Sequence, residues 1–311
     1  MYAIKTEDLK KVFGNYTAIR DIDLEVPQGV CYGLLGLNGA GKTTTIKCIL
    51  GLLRPTSGNI KIFGKKRTSE TNRYIGFLPE RIDYHGHIPV KDFLAYVGLL
   101  NLLPRSEIEK QIDELLEFVG LGGWGDSAIG NLSAGMRQRL GFAQALMGNP
   151  KLIMLDEPTA NLDPVGRDEM LNKIKAIVKE GITVFISSHI LSEIEMVSDY
   201  IGIIADGYVV TQGSVEDIKR ERSRVEKPII EIVVNEPTKL VLALENLDYI
   251  SKITRMDFKI LAETTDPDQL GKDIPQILVD NRLQLIKYSP PMGGLQEIFL
   301  KIMEETAHGK K

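Results

Sequence analysis

Residues Gly36–Thr43 read GLNGAGKT, and this stretch decides the architecture of the larger part of the chain. It satisfies the pattern G-x-x-x-x-G-K-[ST] and lies between a short apolar run, VCYGLLG, and a segment with apolar residues at helical spacing, KTTTIKCILGLL. Strand, glycine loop and helix follow in the order that lets a helix N-terminus receive a phosphate. Gly39 and Gly41 allow backbone N–H groups to turn inward around a β-phosphate, Lys42 reaches the β and γ oxygens, and the Thr43 hydroxyl is placed to hold Mg²⁺. The expected nucleotide-binding stretch comprises Gly36, Leu37, Asn38, Gly39, Ala40, Gly41, Lys42, Thr43 and Thr44.

Downstream, LIMLDEP describes a buried strand that delivers Asp156 at its C-terminal edge, where ligands of open α/β sheets bind. Asp156 is the candidate for holding the Mg²⁺ hydration shell, and Glu157, one residue further, for accepting a proton from an attacking water. Further apolar runs, TVFISS and YIGIIA, interleaved with the helical patterns RDEMLNKIKAIVKE and SEIEMVSD, predict a mainly parallel α/β sheet. Residues before the glycine loop alternate apolar and polar in short pieces such as AIRDIDLEV, the pattern of antiparallel strands. Between about 83 and 150 the chain is helix-rich, with VKDFLAYVGLLNLL, RSEIEKQIDELLEFVGL and SAGMRQRLGFAQALMG set apart by Gly, Pro and Asn.

The charged stretch KRERSRVEKP ends this pattern, so residues 219–227 read as a linker. Beyond it IIEIVV, PTKLVLALENL, ISKITRM, FKILAE, DQLGKDIPQILVDN and LQLIKYS give the order βαββαβ, a ferredoxin-like α+β arrangement over 228–311. The closing GGLQEIFLKIMEE reads as an amphipathic helix. With 311 residues, 43% hydrophobic and 26% charged, the chain has the composition of two soluble domains, and a net charge of −4 gives no reason to expect nucleic acid as a partner. Cys31 and Cys48 lie outside any metal-ligand spacing and are expected as reduced thiols of a cytosolic protein. The histidines of HGH, His85 and His87, lack a nearby acidic or thiol cluster and read as loop. No stretch approaches the roughly 18 uninterrupted apolar residues of a membrane span, and the N-terminus has no apolar core of signal-peptide length, so a membrane role requires a partner.

NLSAGMRQR, Asn131 to Arg139, resembles the LSGGQ signature of ATP-binding cassette ATPases, with Ala134 and Met136 replacing the commoner Gly and Gln. ANLD, Ala160 to Asp163, resembles the family's D-loop, and SSH, Ser187 to His189, its switch-histidine segment. Phe13 in KVFGNYTAIRDIDL matches the aromatic that stacks on adenine, with Tyr16 as competitor. The resemblance covers residues 1 to about 218. It implies a RecA-like P-loop NTPase core with an antiparallel β subdomain and a helical subdomain. It also implies a head-to-tail dimer, homomeric or with a second cassette, that sandwiches two ATP molecules. Each ATP would lie between one P-loop and the other subunit's Leu132, Ser133, Ala134, Gly135 and Met136. Ser133 reads equally as an N-cap, and the two roles agree physically, because a capped helix N-terminus is an anion site.

In the implied mechanism Glu157 is the base, Thr43 and Asp156 hold Mg²⁺, and Lys42, Ser133 and His189 neutralise developing charge, with Asp163 bridging the two sites. One cassette without a membrane span resembles the motor subunit of a transporter, bound peripherally at the cytoplasmic face of the membrane to an integral permease. IGFLPE, LSAGM and LQEIFLKIMEE resemble the ABC-2-type drug and sodium exporters, so export of an unidentified cargo is expected. The alternatives are an importer ATPase with a ligand-sensing C-terminal domain and a soluble cassette ATPase without a transport role. Most cassettes carry glutamine where IGFLPE places Glu80, which is therefore expected to take the Q-loop role and to be a further candidate metal ligand.

Overall fold

The computed structural model describes residues 1–218, 228–289 and 299, and the chain divides into two compact units, Met1–Val215 and Glu216–Lys311. The expected linker at 219–227 and the expected closing helix lie outside the described residues.

In the first unit, β1 (Tyr2–Phe13), β2 (Tyr16–Ile22), β3 (Glu25–Pro27), β5 (Ser57–Ile62) and β6 (Lys65–Lys66) form an antiparallel sheet of order β2-β1-β5-β6, with β3 paired to β1. A two-residue turn with Gly14 at φ 55° joins β1 to β2 and sets Phe13 opposite Tyr16. The second sheet comprises β4 (Cys31–Leu35), β7 (Ile75–Leu78), β8 (Leu152–Asp156), β9 (Thr183–Ser188), β10 (Tyr200–Ala205) and β11 (Tyr208–Ser214). Its order is β11-β10-β4-β9-β8-β7, parallel throughout except for β11 on β10. Every residue of β4, β8 and β9 is buried, which is why these strands read as continuous apolar runs rather than alternations.

Helices α1 (Lys42–Leu50), α2 (Ser69–Asn72), α6 (Pro164–Lys179) and α7 (Leu191–Val197) flank the sheets, and α3 (Val90–Leu100), α4 (Arg105–Val119) and α5 (Ala134–Leu146) form the helical insertion between β7 and β8. Along α4, Ile108, Ile112, Leu116 and Val119 are buried at the spacing of one helical face. α3 approaches that face through Gly98, where a Cβ would stand 2.7 Å from Ile108 Cγ1. α5 closes against β7 at Gly76, where a side chain would collide with the Ala145 carbonyl. The two sheets share one core in which Ile4, Leu9, Ile19 and Leu24 meet Tyr32, Ile46, Ile49 and Phe185 around α1. Cys31 and Cys48 are free and buried, and burial pushes the Cys31 thiol up to about 12.

The second unit contains β12 (Ile229–Val234), a helix at Pro237–Leu244, β13 (Ile250–Met256), β14 (Lys259–Thr264), a helix at Pro267–Asp280 and β15 (Leu285–Tyr288). All its strand pairs are antiparallel, in the order β13-β14-β12-β15. Ile230, Ile232, Val234, Ile260 and Ala262 pack against Leu240, Leu244, Leu270 and Ile274 of the helices. FKILAE is strand only from Lys259, because Asp257 takes φ 48° in the β13–β14 turn and leaves Phe258 at the exposed tip. Among the described residues no helix is long and apolar enough to cross a membrane.

Candidate active site

Parallel pairing of β4, β9 and β8 brings three strand ends to one edge, with Leu35 opposite Ser188 and Ser187 opposite Asp156. The Gly36–Gly41 loop, Asp156–Glu157 and His189 follow directly from those ends, so residues far apart in sequence meet at the C-terminal edge of the sheet. Between them opens a cleft of about 440 Å³ lined by Phe13, Tyr16, Ala18, Asn38, Gly39, Gly41, Lys42, Thr43, Thr44, Glu80, Glu157, Ala160 and His189.

The loop achieves its shape with Gly39 at φ 84° and Gly41 at φ 112°, conformations that a Cβ disfavours. At Gly41 a Cβ would also stand 2.7 Å from the Ala18 carbonyl, so backbone and β2 approach too closely for a side chain. α1 begins at Lys42 without a side-chain cap, leaving first-turn N–H groups facing the cleft as anion donors. Lys42 is 6% exposed and donates to the carbonyls of Gly36 at 2.8 Å and Leu37 at 3.1 Å. Its ammonium also lies 3.2 Å from Glu157 Oε1, an ion-pair distance at which Oε1 nevertheless accepts no well-directed hydrogen bond. Glu157 Oε2 stands 2.9 Å from His189 Nδ1.

Glu157 adopts φ 51°, a left-handed conformation costly for a side chain this large. Its N–H is held by both the Ser187 carbonyl at 3.2 Å and the Ser187 hydroxyl at 3.1 Å. The same Ser187 hydroxyl donates to Asp156 Oδ1 at 2.7 Å. Asp156 is 1% exposed, and burial raises its pKa; the Ser187 and Thr43 hydroxyls oppose the shift, while the charges of Glu80 and Glu157 reinforce it. Buried negative charge beside a hydroxyl and an anion-binding helix end suits a divalent cation with oxygen donors.

Not every expected residue enters this cleft. Ser133 is exposed and caps α5, accepting from the Met136 N–H at 3.2 Å, with Leu132 buried behind it and Ala134 exposed. Gly135 abuts Leu162, so the start of α5 lies beside the loop that contains Asp163. Asp163 caps α6 by accepting from the Gly166 N–H at 2.9 Å. Phe13 and Tyr16 both line the cleft and both are exposed, with the Lys11 ammonium 4.8 Å from the Phe13 ring centroid. His85 and His87 have ring centroids 6.1 Å apart, and among the described residues no group of three or more His, Cys, Asp or Glu side chains is arranged to hold a metal ion by itself.

Four supporting roles escaped the sequence reading. Ser187 serves Asp156 and Glu157 as described, and Gln138 of α5 donates to the Pro158 carbonyl at 3.0 Å. Thr159 and Glu193 are both buried and hydrogen-bonded to each other. Ser187 lies near the end of the buried strand β9, Gln138 and Glu193 lie on the buried faces of α5 and α7, and Thr159 is buried in the loop after β8, so polarity at a buried position was their only signal.

A family model described as ABC transporter matches residues 19–160. The bacitracin transport ATP-binding protein of Bacillus licheniformis is 37% identical over 309 residues, spanning 96% of this chain and 97% of that protein. The linearmycin resistance ATP-binding protein of Bacillus subtilis is 30% identical, spanning 97% of this chain and 99% of its own. Among solved structures, cbiO1 of Clostridium perfringens, part of the cbiONQ ABC transporter complex, superposes with a TM-score of 0.64 at 29% identity, covering 72% of this chain and 92% of that one.

Proposed function

This chain belongs to the ABC transporter family as an ATP-binding, ATP-hydrolysing subunit, and from that premise we propose that it drives export through a separate integral membrane permease. The observation that carries the site assignment is the convergence of Lys42, Thr43, Glu157 and His189 on one cleft at the ends of parallel strands, with Asp156 buried beside the Thr43 and Ser187 hydroxyls.

In the proposed reaction water attacks the γ-phosphate of ATP in line. Glu157 accepts the proton, and His189, 2.9 Å from it, orients the carboxylate and the water. Lys42 and the first-turn N–H groups of α1 stabilise the phosphate charge. Thr43 and Asp156, with Glu80 at the cleft wall, would hold Mg²⁺, which neutralises charge on the β and γ oxygens when bound. Phe13 stacks on adenine. Ser133 and its helix N-terminus, exposed and outside the cleft's own lining, serve the γ-phosphate of the opposite subunit in an ATP-closed dimer, and Asp163 bridges the two sites.

The accessory unit after the cassette is proposed as a ferredoxin-like domain, on the strength of its antiparallel order β13-β14-β12-β15 with both helices sharing one core. Peripheral attachment at the cytoplasmic face follows from the permease partner. The names of the bacitracin and linearmycin relatives make antibiotics the first cargoes to test. Co-purifying the chain with its membrane partner and reconstituting the pair in vesicles should give ATP-dependent movement of cargo out of the compartment that holds the ATPase. Movement in the opposite sense, or none that Lys42→Ala abolishes, would replace export by import or by a role outside transport.

A further inference from the structure

Glu193 lies on α7, four residues beyond His189, and is 5% exposed. Its Oε1 and Oε2 lie 2.8 and 2.9 Å from the Thr159 hydroxyl, and Oε2 accepts from the Ser188 hydroxyl at 2.8 Å. Ser188 in turn accepts the Ile190 N–H at 3.0 Å. Among the described residues, the partners of this buried carboxyl group are hydroxyls and none is a cation. A buried carboxyl without a counter-charge is costly, so the fold tolerates it where it serves another end.

The arrangement defines that end. Thr159 is two residues after Glu157, and Ser188 is the residue before His189. With the 2.9 Å contact between Glu157 and His189, the links close a ring: Glu157, Pro158, Thr159, Glu193, Ser188, His189 and back to Glu157. The His189 side chain is 46% exposed, so water competes for its contact with Glu157, whereas the Glu193 links are shielded.

We propose that Glu193 is a positioning residue for ATP hydrolysis: it clamps the loop after β8 to the turn after β9 and thereby fixes His189 against Glu157. The proposal rests on reading Glu157 as the base. The P-loop meets the ring at the Lys42–Glu157 pair and through the Gly36 N–H, which the Ser188 carbonyl accepts at 3.3 Å; the clamp variants leave these four residues in place, so loss of the clamp acts chiefly on turnover rather than on nucleotide binding.

The test measures kcat, ATP affinity and the ¹⁵N signal of His189 in the full chain for Glu193→Ala, Thr159→Val, Thr159→Ser and Glu157→Gln. Glu193→Ala and Thr159→Val should each lower kcat by about tenfold to a hundredfold, the scale of an ångström-level misplacement. Their ATP affinity should stay within about twofold, and the His189 signal should shift as it does in Glu157→Gln. Thr159→Ser, which retains the hydroxyl, should recover most of the rate lost in Thr159→Val. If Glu193→Ala does not fold, the Thr159 pair carries the same comparison. An unchanged kcat and His189 signal in Thr159→Val would overturn the clamp, as would a loss of stability with no loss of rate per folded molecule. Retained turnover in Glu157→Gln would instead remove the base on which the clamp acts. Abolished turnover in Glu157→Gln beside full turnover in the clamp variants would refute the clamp alone.

Discussion

Replacing Glu157 by glutamine should separate two properties that the structure joins in one side chain. The Lys42 ammonium and Glu157 Oε1 are 3.2 Å apart and almost completely buried. At an effective dielectric constant of about 20 their attraction is about 5 kcal/mol before the cost of desolvation is subtracted. A triphosphate bound by Lys42 competes with Glu157 for that ammonium and is also repelled by the carboxylate. Glutamine keeps the shape and removes the charge. If only about 1.4 kcal/mol of the gross attraction survives desolvation, ATP should bind about tenfold more tightly to Glu157→Gln. Loss of the base should lower kcat by about 10² to 10⁴. Titration with a fluorescent ATP analogue, phosphate-release kinetics and size-exclusion chromatography in MgATP would read the two effects, with an accumulated closed dimer as the expected product. Unchanged ATP affinity would show that the Lys42–Glu157 pair does not oppose nucleotide binding, and unchanged turnover would remove Glu157 from catalysis.

Ser133→Ala should cost about 1 kcal/mol through loss of the α5 cap. Ser133→Asp, an equally good cap, should preserve the melting temperature yet block ATP-driven dimerisation in a Glu157→Gln background; a dimer formed by that variant would confine Ser133 to capping. Phe13→Ala should raise KM for ATP about tenfold, the scale of one lost base-stacking contact, with a smaller effect from Tyr16→Ala. The reverse ranking in steady-state kinetics would assign the stacking to Tyr16. Asp156 has a pKa raised by burial, so the folded chain holds that proton more tightly than the unfolded one. Its contribution to stability is therefore present below the unfolded value of about 3.9 and is lost as pH rises through the folded value. Asp156→Asn should accordingly raise the melting temperature near neutral pH in EDTA without nucleotide while abolishing Mg²⁺-dependent hydrolysis; a lower melting temperature by calorimetry would refute the sign.

The glycine loop, the acidic strand end and the helical insertion were legible because each has a local physical signature. Gly39 and Gly41 mark backbone that must take positive φ, the runs leading to Leu35, Asp156 and Ser188 mark strands buried on both faces, and Ile108, Ile112, Leu116 and Val119 mark one helical face. Glu80 was legible as a departure in type, and the structure sets it in the cleft wall, where its charge reaches Asp156. The roles of Ser187, Gln138, Thr159 and Glu193 were not legible, since a polar residue's place in the sequence carries no information about the distant group it will meet.

The sequence by itself therefore determined the order of elements, the glycine loop and the chemical types of the candidate side chains, all of which depend on residues within a few positions of one another. Only the tertiary structure decided which of them meet. The parallel register of β4, β9 and β8 places Lys42, Glu157 and His189 together, and burial on α7 turns Glu193 from a surface-type residue into the link between two loops. Strand pairing and burial are non-local, set by how apolar faces close on one another, so no short stretch of the chain contains them.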